Sequence, residues 1–259
     1  MAFWTQPVEP ELRDTVARWC FSTNADLTLP WSVQITPDGR IDLLVSVRAE
    51  ARSMGHRPCH CELFGVKTRP LTVTSEQPGW SLAVQFQPGA VSRLFGMPAR
   101  EVTDEAVPTS ELTHRMGQDW VDRISGLDTL DGLRAAVAQC LLQLRAEHAN
   151  VGHPPDASRG LAGAATDLMT RCQGRLTIQR LTHHLGVNPR QLERAFLQHI
   201  GVSPKRYARI LRFQHADRLI SAGRPLAWVA ATAGYCDQAH LCRDFRAFTD
   251  RTPRQKTTA

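Results

Sequence analysis

The chain has 259 residues, of which 42% are hydrophobic and 22% are charged, a composition typical of a globular protein with one large domain or two modest ones. No run approaches the roughly 18 consecutive apolar residues that span a bilayer, and the N-terminus lacks the basic stretch and apolar core of a secretion signal. The seven cysteines are scattered and odd in number, which favours a reducing compartment over a disulfide scaffold. We therefore expect a cytoplasmic protein that has no membrane partner.

The net charge of +6 is distributed unevenly along the chain. Residues 1–150 carry 14 Lys and Arg against 18 Asp and Glu, whereas residues 151–259 carry 17 against 7. An uneven but merely solvated surface is one explanation. The other is that the basic C-terminal part binds a polyanion while the acidic N-terminal part has a different task.

The N-terminal half has the pattern of short strands. Residues 31–47 hold two β-rich runs around Pro37–Gly39, a turn in which proline presets φ and glycine supplies a positive φ. Further strand candidates lie at 61–66, 71–74 and 80–87, and a helical pattern begins near Ala90. We predict a small β-barrel with trailing helices over residues 1–148, the N-terminal part of a two-domain α+β chain.

The C-terminal part reads as helices throughout. A Gly- and Pro-rich stretch predicts an interdomain linker at 149–160, followed by an all-α domain over 161–255. The predicted helices are 161–173, 177–185, 189–200, 204–222, 225–233 and 237–248. Short helices joined by tight turns are typical of helix-turn-helix units.

An internal repeat lies within this helical part. Aligning residues 186–204 with 234–253 superposes Leu192 on Leu241 and Phe196 on Phe245 at a constant offset of 49. A short amphipathic helix and a glycine precede each copy, so each unit is helix, turn, helix. This arrangement predicts two helix-turn-helix units, whose second helices enter the DNA major groove.

The apolar residues of each second helix must face the core, which leaves a polar face pointing outward. Long donors such as Arg and Gln suit the edges of guanine and adenine. The candidate base-reading residues are Arg190, Gln191, Glu193 and Arg194 in the first unit and Gln238, His240, Cys242 and Arg243 in the second.

A helix of about 19 residues, roughly 28 Å long, joins the two units and could space them by about one turn of DNA. Lys205, Arg209 and Arg212 lie along one of its faces and are candidate phosphate contacts; ordinary solvation is the alternative.

With these features, the segment from about 160 to 255 resembles the AraC/XylS family of bacterial transcription regulators. The resemblance rests on the paired units, the long connecting helix and the endings GVSPKRY, LRFQHADRLI and FRAFTDRTPRQ. In that family the second helices enter adjacent major grooves. The resemblance therefore implies base reading by six of the candidates: Arg190, Glu193, Arg194, Gln238, Cys242 and Arg243. The second unit departs from the commoner polar pattern at Cys236, Ala239 and Cys242.

The N-terminal half is also similar to a degenerate cupin-like domain found in a subset of these regulators, through PDGRIDLLVSV, GVKTRP and VQFQPGAVSRLFGMPAREVTDEAVP. In the wider family such domains bind a small effector, dimerise, or do both. Trp31, Trp80 and Phe86 are candidates to line an effector pocket, with a place in the core as the alternative.

The cluster His56, Cys59, His60 and Cys61 is a candidate metal or thiol sensor. Its tight C-x-C spacing lacks the second ligand pair of a structural zinc site, so we expect no metal and no cofactor. No nucleophile elbow, phosphate-binding glycine loop or metalloprotease motif is present, and we expect no enzymatic activity.

The leading hypothesis is a transcription regulator, favouring an activator, that binds double-stranded DNA under the control of its N-terminal domain. A small-molecule effector, RNA polymerase and a second copy of the chain are left open as further partners. The alternatives are a ligand-binding or catalytic β-barrel with an accessory basic tail, and a regulator that senses metal or thiol oxidation through Cys59 and Cys61.

Overall fold

The structure is a computed structural model, described here for residues 2–23, 30–48, 59–112, 116–127, 129–150 and 157–253. It has a sheet-rich N-terminal region followed by a helical C-terminal region, which confirms the predicted two-domain α+β class. Among the described residues, no helix is both long enough and apolar enough to cross a membrane.

Among the described residues of the N-terminal region, eight strands form the sheets. They are β1 Ala2–Gln6, β2 Val16–Thr23, β3 Trp31–Ile35, β4 Asp42–Arg48, β5 Cys59–Phe64, β6 Leu71–Ser75, β7 Gly79–Phe86 and β8 Ala106–Pro108. Six of them form one antiparallel sheet in the order β1-β2-β7-β4-β5-β8, and β3 pairs with β6 in a separate two-stranded sheet. The described strands therefore form two open sheets, without closing into a continuous barrel.

The predicted turn at Pro37–Gly39 is present, and Gly39 has the expected positive φ of 78°. The strands on its two sides do not pair with each other, because β3 pairs with β6 whereas β4 pairs with β5 and β7. The turn thus carries the chain from the small sheet to the large one.

Successive side chains of β4 point alternately into the hydrophobic core and towards the small sheet. Leu43, Val45 and Val47 are almost fully buried in the hydrophobic core, whereas the intervening residues face the small sheet. Four α-helices follow β7 in the described part of this region: α1 Ala90–Phe95, α2 Thr109–Leu112, α3 Gln118–Ser125 and α4 Leu130–Asn150. Helices α1 and α4 pack on each other, and α4 also packs on β7.

Over residues 157–253 the structure has six helices, close to the predicted spans. They are α5 Ala157–Arg171, α6 Ile178–Leu185, α7 Pro189–His199, α8 Pro204–Ser221, α9 Leu226–Ala233 and α10 Gln238–Thr249. Both ends of the predicted linker 149–160 are helical, since α4 continues to Asn150 and α5 begins at Ala157. The remaining linker residues, 151–156, lie outside the described residues.

Candidate nucleic-acid interface

The sequence repeat corresponds to two similar helical pairs. Helices α6 and α7 form the first pair and α9 and α10 the second, each joined by a turn that contains a glycine in the left-handed conformation. Gly186 has φ of 65° and Gly234 has φ of 81°, values that a residue with a Cβ adopts only with strain. The glycines therefore end the first helix of each pair and allow the chain to turn into the second.

The inward faces of α7 and α10 are built alike. Leu192 and Phe196 in α7, and Leu241 and Phe245 in α10, are completely buried. Because the two buried residues of each helix are four positions apart, they lie on the same side of that helix, and the opposite side faces solvent.

In α7 the solvent side carries all four predicted base-reading residues. Arg190, Gln191, Glu193 and Arg194 are exposed. Gln191 also completes a capping box: its Oε1 accepts from the Asn188 backbone N–H at 3.0 Å, and the Asn188 side chain accepts from the Gln191 N–H at 2.9 Å. A bidentate contact to adenine needs that Oε1. The two arginines are thus the stronger candidates for base contact.

In α10 the candidates are less accessible. Arg243 is exposed, whereas Gln238, His240 and Cys242 are half-buried. The His240 ring packs edge-on against Tyr235, with centroids 5.1 Å apart, and its backbone N–H donates to Asp237 at 2.6 Å. Among the predicted base-reading residues, the second unit therefore offers one exposed arginine where the first offers two.

Of the three predicted phosphate contacts on α8, Lys205 is exposed, whereas Arg209 and Arg212 are half-buried. Arg209 Nη2 donates to Asp244 Oδ1 of α10 at 2.7 Å, and its guanidinium lies 5.5 Å from the centroid of the Phe248 ring. Arg212 Nη1 lies 3.4 Å from the Gly174 carbonyl oxygen, and its guanidinium lies 5.9 Å from the Tyr235 ring centroid. These partners favour structural roles for Arg209 and Arg212, and their contact with phosphate stays a prediction.

Sequence reasoning did not anticipate Asp244 as a structural residue. Asp244 is 4% exposed, although it lies next to Arg243 in an outwardly polar stretch. A signal was available, since in the repeat Asp244 aligns with the buried Ala195, so this position faces inward in both units.

Comparisons with known proteins agree with this geometry. Residues 181–258 match the family described as a helix-turn-helix domain, and residues 6–108 match a domain of unknown function, DUF6597. The C-terminal part of the chain is an AraC-type helix-turn-helix domain.

Among the relatives is the HTH-type transcriptional regulator GlxA of Rhizobium meliloti (strain 1021), 29% identical over 147 residues. That match covers 55% of this chain and 42% of GlxA, so the chain spans less than half of this curated relative. The solved structures include an AraC-type transcriptional regulator from Chromobacterium violaceum, 26% identical with a TM-score of 0.37 over 39% of this chain and 93% of that one. They also include ToxT from Vibrio cholerae, 9% identical with a TM-score of 0.45 over 92% of this chain and 98% of that one.

The N-terminal region contacts the AraC-type domain along a seam, formed by the end of α7 and by α8. Thr103 Oγ1 donates to the Gly201 carbonyl oxygen at 2.8 Å, and Arg206 Nη2 donates to the Thr68 carbonyl oxygen at 2.6 Å. The Thr68 loop is itself held by Asp104, whose two carboxylate oxygens accept from the Thr68 N–H and Oγ1. The seam therefore includes specific polar contacts, one of them to a loop that is itself held by side-chain hydrogen bonds.

A buried histidine also lies in the seam. His199, 3% exposed, has Nδ1 2.8 Å from Ser92 Oγ and Nε2 2.7 Å from Ser158 Oγ. Ser92 Oγ also lies 3.1 Å from the Gly89 carbonyl oxygen. His199 thus links α1, α5 and α7, on the side of α7 away from its exposed arginines.

A cavity of about 680 Å³ lies between the two sheets of the N-terminal region. One wall is apolar and comes from the small sheet, with Trp31, Val33 and Val73. The other wall belongs to the large sheet and contains a row of polar side chains, one from each of four neighbouring strands. The strand register places them side by side in the order Ser22, Ser81, Ser46 and His60.

Two of the three predicted pocket residues border this cavity. Trp31 lies in its apolar wall, and its buried Nε1 has no hydrogen-bond partner among the described residues. Trp80 also borders it, although the alternation of β7 places its side chain on the core side with Leu82. Phe86 is instead a core residue, 2% exposed and packed edge-on against Phe95.

The described part of the predicted metal cluster does not converge. Cys59 and Cys61 lie on one face of β5 and His60 on the other, because successive residues of a strand alternate. Burial raises the pKa of the Cys59 thiol to about 12 and also raises the pKa of Cys61, which disfavours the thiolate that binds metal or reacts with oxidants. His56 lies outside the described residues, and no group of three metal-ligating side chains occurs among the residues that the structure describes.

Proposed function

We propose that the chain is a sequence-specific DNA-binding transcription regulator whose N-terminal domain, over residues 1–148, controls the AraC-type domain, over residues 161–255. The observation that carries the proposal is the pair of helices α7 and α10, whose buried faces are alike and whose opposite faces present Arg190, Arg194 and Arg243 to solvent. Two such helices on one rigid spacer suit a bipartite site in duplex DNA.

The protein makes two kinds of contact with DNA. The exposed arginines contact base edges and give sequence specificity, while Lys205 neutralises phosphate and adds affinity that depends on salt. Helix α8, with 18 residues and hence about 27 Å in length, spaces the two units.

The experiment is selection of bound sequences from a random duplex library, followed by affinity measurement at several salt concentrations. We expect an enriched bipartite motif and an affinity that falls steeply as salt rises.

Arg194→Ala should cost about 1–3 kcal/mol in DNA-binding free energy and relax the preference at one base position. Arg123→Ala removes the same charge from exposed surface of α3 and serves as the control. The absence of any enriched motif would refute the proposal, and uniform weakening by Arg194→Ala across all sequences would reassign that residue to phosphate.

The N-terminal domain is proposed to hold a small-molecule effector in the cavity between its sheets. The apolar wall at Trp31 and the facing row of hydroxyls match the mixture of apolar lining and few polar anchors that is typical of ligand sites. Replacement of Val33 by Trp would fill the space, and should abolish the response to an effector while leaving the folded protein able to bind DNA. A Val33→Trp protein that still responds would place the effector elsewhere.

Activation, contact with RNA polymerase and a homodimeric state stay predictions. Transcription in vitro from a promoter that carries the selected site distinguishes an activator from a repressor. Light scattering of the full chain, alone and with DNA, reports the number of copies that bind.

A further inference from the structure

The turn Pro37–Arg40 touches both parts of the molecule that the proposed function requires. It connects β3, one wall of the cavity between the sheets, to β4, which supplies Leu44, Ser46 and Arg48 to the opposite wall. The two strands belong to different sheets, so a change in the separation of the walls must be accommodated in this turn.

The tip of the turn packs on α8 of the AraC-type domain. Gln214 Nε2 donates to the Pro37 carbonyl oxygen at 2.6 Å. Gly39 lies so close to Tyr207 that a Cβ at this position would be 2.8 Å from the ring. The contact is therefore tight, and a shift of the turn cannot occur without a response from α8.

From Tyr207 the contact continues to the recognition helix. Tyr207 is 5% exposed, and its ring packs edge-on against Phe196 of α7, with centroids 5.7 Å apart. Phe196 fixes the buried side of α7, whose outer side carries Arg190 and Arg194. The Tyr207 ring thus lies between the turn and Phe196 of the base-reading helix.

The turn has a fixed shape of its own. Asp38 Oδ1 accepts from the Arg40 backbone N–H at 3.0 Å, and Asp38 Oδ2 accepts from Gln85 Nε2 of β7 at 3.1 Å. Because these bonds hold the turn in one shape, a displacement of β3 is passed on to α8 and is not taken up within the turn.

We propose that the Pro37–Arg40 turn couples the cavity between the sheets to helices α7 and α8, so that effector binding and DNA binding alter each other's affinity through this contact. The inference rests on the proposed function. Because coupling between two binding sites is reciprocal, it can be tested from the DNA side without knowing the effector.

The experiment uses the full chain labelled with 5-fluorotryptophan, in which the fluorine NMR signal of Trp31 is assigned by Trp31→Phe. Duplex DNA that carries the selected site is added to the wild type and to two variants. Gln214→Ala removes the bond to Pro37, and its control, Gln198→Ala, makes the same change at a seam residue that contacts Arg100 instead. Gly39→Ala forces the turn away from Tyr207, and its control, Gly223→Ala, has a similar φ of 72° with nothing within 4 Å.

We expect DNA to shift the Trp31 signal in the wild type and in both controls. The shift should be lost in Gln214→Ala and Gly39→Ala, although both still bind DNA. Gly39→Ala should also change DNA affinity by about fivefold or more, against less than about twofold for Gly223→Ala.

Three results would overturn the inference. If the wild type binds DNA and the Trp31 signal does not move, the cavity and the DNA interface are independent, while the proposed function stands. If Gln214→Ala and Gly39→Ala respond as the wild type does, the coupling does not pass through this turn. If the wild type binds no DNA sequence selectively, the proposed function fails and the inference fails with it. Gln214→Ala deletes a single hydrogen bond, so the test does not depend on the folding of Gly39→Ala.

Discussion

The ion pair between Arg209 and Asp244 predicts unequal effects when each partner is removed. The Arg209 side chain is 30% exposed and the Asp244 side chain is 5% exposed. Arg209→Met keeps the aliphatic stem over Phe248 but leaves a buried carboxylate without its cation, which should cost about 3 kcal/mol in the free energy of unfolding. Asp244→Asn leaves a guanidinium that can still reach water, and should cost about 1 kcal/mol. The double variant should recover about 1 kcal/mol or more relative to the sum of the two.

Urea unfolding of the full chain measures these differences if the AraC-type domain is followed separately. Trp228 is the only tryptophan after residue 120, so 5-fluorotryptophan at this position reports unfolding of that domain alone. The same variants are tested for DNA binding at several salt concentrations. If Arg209 has a structural role, Arg209→Met should leave the dependence of DNA affinity on salt unchanged. Equal costs for the two single variants, or strict additivity in the double variant, would refute the structural interpretation. A reduced dependence on salt in Arg209→Met would return this residue to the phosphate contacts.

Three further predictions follow from the burial and charge of single residues. Lys205→Gln should reduce the slope of log affinity against log salt by about 0.9, which repeated titrations at different salt concentrations measure; an unchanged slope would remove Lys205 from the interface. Thiol labelling at pH 8, followed by mass spectrometry, should modify the exposed Cys236 roughly 100-fold or more faster than Cys59, since burial raises the pKa of Cys59 to about 12; equal rates would contradict this. Burial, with the nearby charge of Asp42, raises the pKa of Asp38, so stability contributed by its protonated form is lost as pH rises through that pKa. Asp38→Asn should therefore raise Tm by about 2–4 °C near neutral pH and leave it unchanged near pH 3, whereas a lower Tm at neutral pH would show that the negative charge stabilises the turn.

Local signals located the C-terminal helices well. A helix that ends at a left-handed glycine, such as Gly186, or begins at a capping residue, such as Asn188, has boundaries set by a few neighbouring residues. The spacing of Leu192 and Phe196 likewise fixes the buried face without reference to the rest of the chain.

Contacts between distant residues were not predictable in this way. The turn at Pro37–Gly39 could be recognised from its residues, but not the assignment of β3 and β4 to different sheets, because strand pairing depends on partners elsewhere in the chain. Strands β1 and β2 were missed, since their mixture of polar and aromatic residues gives no clear alternation. The partners of Arg209 and Arg212 also come from distant helices, so their positions on one face of α8 could not distinguish a phosphate contact from an ion pair.

The seam contacts described above hold only the first of the two helix-turn-helix units. His199, Gly201 and the residues of α8 that meet the N-terminal domain all belong to the first unit or to the spacer after it. The duplication therefore leaves the first copy constrained by its contacts with the N-terminal region, whereas none of the seam contacts described above involves α9 or α10. Exchange of residues 226–249 for the matching segment of another regulator should change half of the recognised site while the control of binding is retained, which makes this unit the natural starting point for engineering new DNA specificity.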